Sequence, residues 1–154
     1  MKWLEKHEDL VKLNIKLMNQ YASLYSKGFD YGNGISLSFA EAQVIEGILD
    51  NDEIKMIHLA KALGCSGPAI TKSIKKLEQK GIVEKYKIEG NKKEVRLRIS
   101  SLGLETYRMY QAYVFENLFS PLFQLLESKE KGFENDLIEM YKYMTEFNDE
   151  MKER

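Results

Sequence analysis

The feature that most restricts how this chain can fold is a change of period at Gly81. Upstream of it, apolar residues recur at helical steps. Ile57, Leu59, Ala60 and Leu63 lie in "MIHLAKALG", and Ile70, Ile74 and Leu77 in "SGPAITKSIKKLEQKG". Downstream, "GIVEKYKIEGNKKEVRLRIS" switches to alternation, with Val95, Leu97 and Ile99 pointing one way and Arg96 and Arg98 the other. Gly90-Asn91-Lys92-Lys93 supplies the turn between two strands. Two short helices meeting at Gly64-Cys65, followed at once by a hairpin, predict a winged helix-turn-helix with the hairpin as wing.

Local signals set the helix ends. Ser38-Phe39-Ala40-Glu41 is a capping box opening a helix whose inner face is Ala42, Val44, Ile45, Ile48 and Leu49. Gly64 suits the end of helix 57–64, Ser66 is an N-cap for helix 66–80, and Pro68 falls in that helix's first turn, where a missing N–H costs least. The flanks are also helical. Residues 3–27 carry two apolar stripes, Leu10-Leu13-Leu17-Tyr21-Leu24 and Val11-Ile15-Met18-Ala22-Tyr25, one more than a single packing partner requires. Gly28, Gly32 and Gly34 break this helix into a loop. Ser100 caps a further long helix with Tyr107, Tyr110, Val114, Leu118, Leu122 and Leu125, and a last helix carries Leu137, Tyr141, Met144, Phe147 and Met151. The expected fold class is mainly α, divided as an N-terminal dimerisation helix and loop (1–34), a winged helix-turn-helix with a small β-hairpin (35–103), and C-terminal dimerisation helices (104–154).

Charge is segregated along the chain. Twelve Lys and Arg against four Glu give residues 55–98 a charge of +8, whereas the whole chain is at -1, so the remainder carries -9. That is the electrostatic footprint of a nucleic-acid-binding module. Small residues at Ser66, Gly67 and Ala69, with Pro68, let the start of the second helix approach base edges in a major groove. Thr71, Lys72, Lys75 and Lys76 follow on the same helix, and Lys92, Lys93, Arg96 and Arg98 on the hairpin reach phosphates or the minor groove. These twelve residues are the candidate DNA-binding set, and double-stranded DNA is the expected partner.

Other classes find little support. The start, "MKWLEKHEDL", is too charged for a secretory signal, and no apolar run approaches the roughly 18 residues of a membrane span. The single cysteine, Cys65, excludes an internal disulfide framework and fits a reducing compartment, so the expected location is the cytoplasm. His7, His58 and Cys65 form no spaced zinc cluster, and no activated nucleophile, carboxylate pair or phosphate loop stands out. No enzyme activity, metal or cofactor is expected.

At this point the residues resemble a known family. "HLAKALGCSGPAITKSIKKLEQKGIVEK", a basic hairpin and "LRISSLG" look like the MarR (multiple antibiotic resistance regulator) family of bacterial transcription factors. The family pattern falls on Leu59-Ala60, Ser66, Thr71, Leu77-Glu78-Gln79-Lys80-Gly81 and Lys85, and its closing Leu-Thr-x-x-Gly becomes Ile99-Ser100-Ser101-Leu102-Gly103. The wing departs from the family, because Asn91-Lys92-Lys93 stands where Asp-x-Arg is frequent, and lysine makes a poorer bidentate fork. The resemblance implies an obligate homodimer with interlocked terminal helices, one recognition helix per half of a pseudo-palindrome, and repression as the common mode. It also implies an aromatic or amphipathic effector bound between the dimerisation helices and the DNA-binding domain, with Tyr21, Tyr25, Phe29, Phe39, Tyr107 and Tyr110 as candidate lining. Core packing is the competing reading of those aromatics, and a small filler that of Cys65. The alternative for the whole chain is a winged-helix protein-interaction module whose lysines meet an acidic partner.

Overall fold

A computed structural model describes residues 2–51, 54–88 and 91–152, with side chains for 5–51, 54–87 and 95–151. After a short 3-10 segment (Lys2–His7) come α1 (Glu8–Tyr25), β1 (Phe29–Asp30), β2 (Ser36–Leu37), α2 (Phe39–Leu49), α3 (Met56–Ala62), α4 (Gly67–Gln79), β3 (Val83–Ile88) and β4 (Asn91–Ile99). Then follow α5 (Ser101–Val114), a π-helical turn (Phe115–Phe119), α6 (Ser120–Glu127) and α7 (Phe133–Lys152). The chain forms two compact units, Met1–Gln111 and Ala112–Arg154.

In the first unit, α2, α3 and α4 pack on one another and on the β3–β4 hairpin. Their shared core holds Leu37, Ile45, Leu59, Ile70, Ile74, Leu77 and Ile82, all essentially inaccessible. The helix ends follow the sequence signals. Ser38 Oγ accepts from the Glu41 amide while the Glu41 carboxylate accepts from the Ser38 amide, which completes the capping box. Gly64 sits at φ +62°, a backbone that favours glycine just past a helix end. At the start of α5, a Cβ on Gly103 would lie 2.4 Å from the Ile82 carbonyl oxygen, so this helix can seat on the end of the hairpin only without a side chain there.

Several expectations need correction. The stretch after α1 holds a two-residue antiparallel pair, Phe29↔Leu37 and Asp30↔Ser36, not only a loop, and strands this short leave no alternation to read. Leu49 and Ile57 are exposed (41% and 72%), because each lies one position outside the buried face of a short helix. The hairpin pairs regularly from Val83↔Ile99 to Lys87↔Val95 and then jumps to Ile88↔Asn91. Asn91, Lys92 and Lys93 therefore belong to β4 rather than to the turn, and the side chains of Lys92 and Lys93 lie outside the described residues.

The second unit contains the π-helical turn, α6 and α7. The helix predicted as continuous from Ser100 widens at Phe115–Phe119, just before Pro121, which has no N–H to continue the ladder. Phe119 stacks on Phe123 at 5.9 Å. Among the described side chains of this unit only Val114 is buried, while Phe115, Leu125, Tyr141, Tyr143, Phe147 and Met151 are each more than half exposed. In the first unit α1 likewise buries no residue, and Leu10, Leu13, Ile15, Leu17, Met18, Tyr21 and Leu24 are 41–64% exposed.

Candidate nucleic-acid interface

The site is built on α4. Ile70, Ile74 and Leu77 hold this helix in the core, which turns Thr71, Lys72, Lys75 and Lys76 outward. Its first turn is also exposed: Ser66 Oγ accepts from the Ala69 amide at 3.3 Å, and Pro68 occupies the first turn. A Cβ on Gly67 would meet nothing within 4 Å, so no contact inside the chain requires glycine there. Thr71 donates its hydroxyl hydrogen to the Gly67 carbonyl at 3.0 Å, leaving its oxygen lone pairs and methyl facing out. Lys72, Lys75 and Lys76 carry no ion pair among the described residues, so their charge is undiminished.

The other basic groups of the segment differ. Lys80 Nζ lies 2.7 Å and 2.8 Å from the Glu41 carboxylate oxygens and donates to the Ser36 carbonyl at 2.7 Å. Lys85 pairs with Glu78 and Arg98 with Glu84, each at 2.7 Å, and the Arg98 guanidinium also lies 5.6 Å from the Tyr86 ring centroid. Arg96 is half-buried on β4. So the +8 of residues 55–98 is not spread evenly, and its unpaired part includes the outer face of α4. Lys80 in particular, counted from sequence with that face, is turned into the fold. Burial pushes the Glu41 carboxyl up, but Lys80 and the Ser38 amide and hydroxyl outweigh it, and its pKa lies below the ordinary carboxylate value.

Five of the six candidate effector residues meet one another. Tyr21 packs on Tyr25 and Phe39, Phe39 on Tyr110 edge-on at 5.8 Å, and Tyr110 on Tyr107 and Tyr31. Phe29 lies apart, beneath the Lys27 ammonium at 5.2 Å. Burial first, then the charges of Glu46 and Asp50, pushes the Tyr107 phenol up to about 12. Burial, reinforced by Tyr31 and Tyr107, raises Tyr110 as well. Cys65 packs against the core and donates through Sγ to the Leu63 carbonyl at 3.3 Å. Among the described residues no group of His, Cys, Asp and Glu could hold a metal ion, and no helix is long and apolar enough to cross a membrane.

Fold and site together define a winged helix-turn-helix, a module that offers one helix and a hairpin to a partner. A sequence model of the MarR family matches residues 37–95, and over this segment the chain is similar to that family. No curated protein matches the sequence. Solved structures match nearly the whole fold. A MarR/EmrR family transcriptional regulator from Acinetobacter sp. ADP1 is 18% identical, covering 94% of this chain and 99% of its own, with a TM-score of 0.67. Lactococcus lactis ZitR in complex with DNA is 15% identical over 96% and 99%, with a TM-score of 0.64. Streptococcus pneumoniae FabT in complex with DNA is 17% identical over 98% of each chain, with a TM-score of 0.61. At these identities the likeness is one of fold.

Proposed function

We propose that this chain is a sequence-specific DNA-binding regulator of transcription, acting as a homodimer in the bacterial cytoplasm, with repression as its mode. The observation that carries the reading is the outer face of α4: three lysines with no ion-pair partner among the described residues, beside a first turn of small exposed residues. Thr71 and Lys72, early on the helix, read base edges in the major groove, while Lys75 and Lys76 reach bases or phosphates. Arg96 and Arg98, with Lys92 and Lys93 of the hairpin, hold the backbone. Arg98 then exchanges an exposed pair with Glu84, worth about 0.2–1 kcal/mol, for a phosphate. ZitR and FabT, solved with DNA, support the same use of the fold here.

The exposed apolar faces of α1 and of the second unit support the homodimer, since a monomer would leave them in water. Two recognition helices then meet half-sites centred about 34–36 Å apart. A small effector, bound beside the aromatic residues, would release the DNA. Selection of genomic fragments on the purified protein tests the reading. A retained site should outcompete random DNA by about a thousandfold or more. Equal, weak retention of all polyanions would instead identify a module for an acidic protein partner.

A further inference from the structure

Within the first unit, α2 and α5 border a half-open surface groove of about 220 Å³ that is separate from the stacked aromatics except at Tyr107. At roughly 30 Å³ per water it has room for about seven waters, hence for a molecule of amino-acid size. It falls below the roughly 300–1,000 Å³ of sites for drug-sized ligands. Leu49 from α2 and Leu104 from α5 give it two apolar walls. Tyr107 is buried, and Glu46, Asp50 and Arg108 are the charged side chains of the lining.

The charges of Asp50 and Arg108 do not neutralise each other. Asp50 and Arg108 line the same small space, yet neither makes an ion pair with the other or with any other described residue. Asp50 is also the C-cap of α2, where the exposed carbonyl end of the helix favours a cation. Arg108 presents a fork matched to a carboxylate. A cation alone would be repelled by Arg108, and an anion alone by Asp50 and Glu46. A molecule carrying both signs, with a short apolar group for the leucine walls, satisfies every part of the lining.

From this we infer that the α2–α5 groove binds a small aliphatic α-amino acid as its zwitterion, its ammonium at Asp50 and the end of α2, its carboxylate at Arg108. Because α2 packs on α4, an occupant bridging α2 to α5 bears on the helix proposed to read DNA. This second step rests on the regulatory reading above, whereas the binding step does not.

Titration calorimetry on the full-length protein without DNA tests the site. The probes are L-leucine, 4-methylpentanoate, which lacks the amine, and 3-methylbutylamine, which lacks the carboxylate. L-Leucine should bind with a Kd of about 1 mM or tighter, and at least about tenfold tighter than either analogue. Arg108→Gln should make L-leucine and the amine equal, and Asp50→Asn should make L-leucine and the carboxylate equal. Both positions are exposed, so a folded variant is expected, and its thermal unfolding checks that. Absence of binding by L-leucine at about ten times that concentration, or equal binding of all three probes to the unmodified protein, overturns the site. Repeating the DNA titration with saturating L-leucine tests the second step. An unchanged DNA affinity, with binding intact, overturns the effector role and leaves the site standing.

Discussion

Replacing Lys80 by Met separates two roles that a lysine on a basic helix can play. Lys80 stands at the C-cap of α4 and makes three charge-assisted contacts, two to the Glu41 carboxylate and one to the Ser36 carbonyl. The Glu41 side chain is 8% exposed and that of Lys80 27%. Met keeps the apolar stem but leaves Glu41 buried without its cation. Breaking a buried pair on one side costs about 3–5 kcal/mol, and the partial exposure of Lys80 puts this case at the lower end, about 3 kcal/mol. Urea unfolding at fixed protein concentration should show that loss with an unchanged slope. The pair Lys80→Met with Glu41→Gln should recover much of it, because no buried charge remains. Acid should mimic the effect. The folded Glu41 pKa lies below the ordinary 4.5, so the pair's stabilisation is complete above that value and disappears as pH falls through the lowered one. In salt titrations of DNA binding, Lys80→Met should leave the slope of log K against log salt unchanged, because Lys80 faces inward. A stability loss under about 0.5 kcal/mol, typical of a surface substitution, would refute the structural assignment. A slope flattened by about two per dimer would return Lys80 to the phosphate contacts.

Other outcomes follow from the same geometry. Thr71→Ala or Lys72→Ala should each cost about 1–3 kcal/mol on the selected DNA site and much less on random DNA, and equal losses on both would confine these side chains to phosphate. Lys75→Ala and Lys76→Ala should each flatten the salt dependence by about 0.9 for every phosphate that is no longer neutralised, read by anisotropy across a range of salt. Gly103→Ala should destabilise the fold by about 1–3 kcal/mol in thermal unfolding, because the new Cβ meets the Ile82 carbonyl at 2.4 Å and backbone must move.

Much of this fold was legible because its signals are local. Ser38 and Glu41 are three residues apart, Ser66 and Pro68 open α4 within one turn, and alternation over 95–99 marks a strand with no tertiary knowledge. What was not legible depends on distant residues or on lengths too short to pattern. The Lys80–Glu41 pair joins positions 39 apart, so nothing beside Lys80 distinguishes it from Lys76. The strands β1 and β2 have two residues each. Leu49 and Ile57 are apolar in the right places, but the last turn of α2 and the first of α3 extend beyond the core that would cover them. Charge counting found the basic segment, yet only the structure sorts Lys72, Lys75 and Lys76 from the paired Lys80, Lys85 and Arg98. The α2–α5 groove had no motif to find, since Asp50 and Arg108 lie 58 positions apart and line one groove only in the folded chain.

The central claim, that two copies present α4 to two halves of one DNA site, is tested most directly by hydroxyl-radical footprinting on a selected fragment, with the stoichiometry measured in parallel by sedimentation. The account predicts two chains per site and two protected regions whose centres lie about 10–10.5 base pairs, or a further whole turn, apart on one face of the duplex. Protection should shrink in both halves together when Thr71 and Lys72 are replaced. One chain per site, or a single protected region unaffected by those replacements, would contradict it.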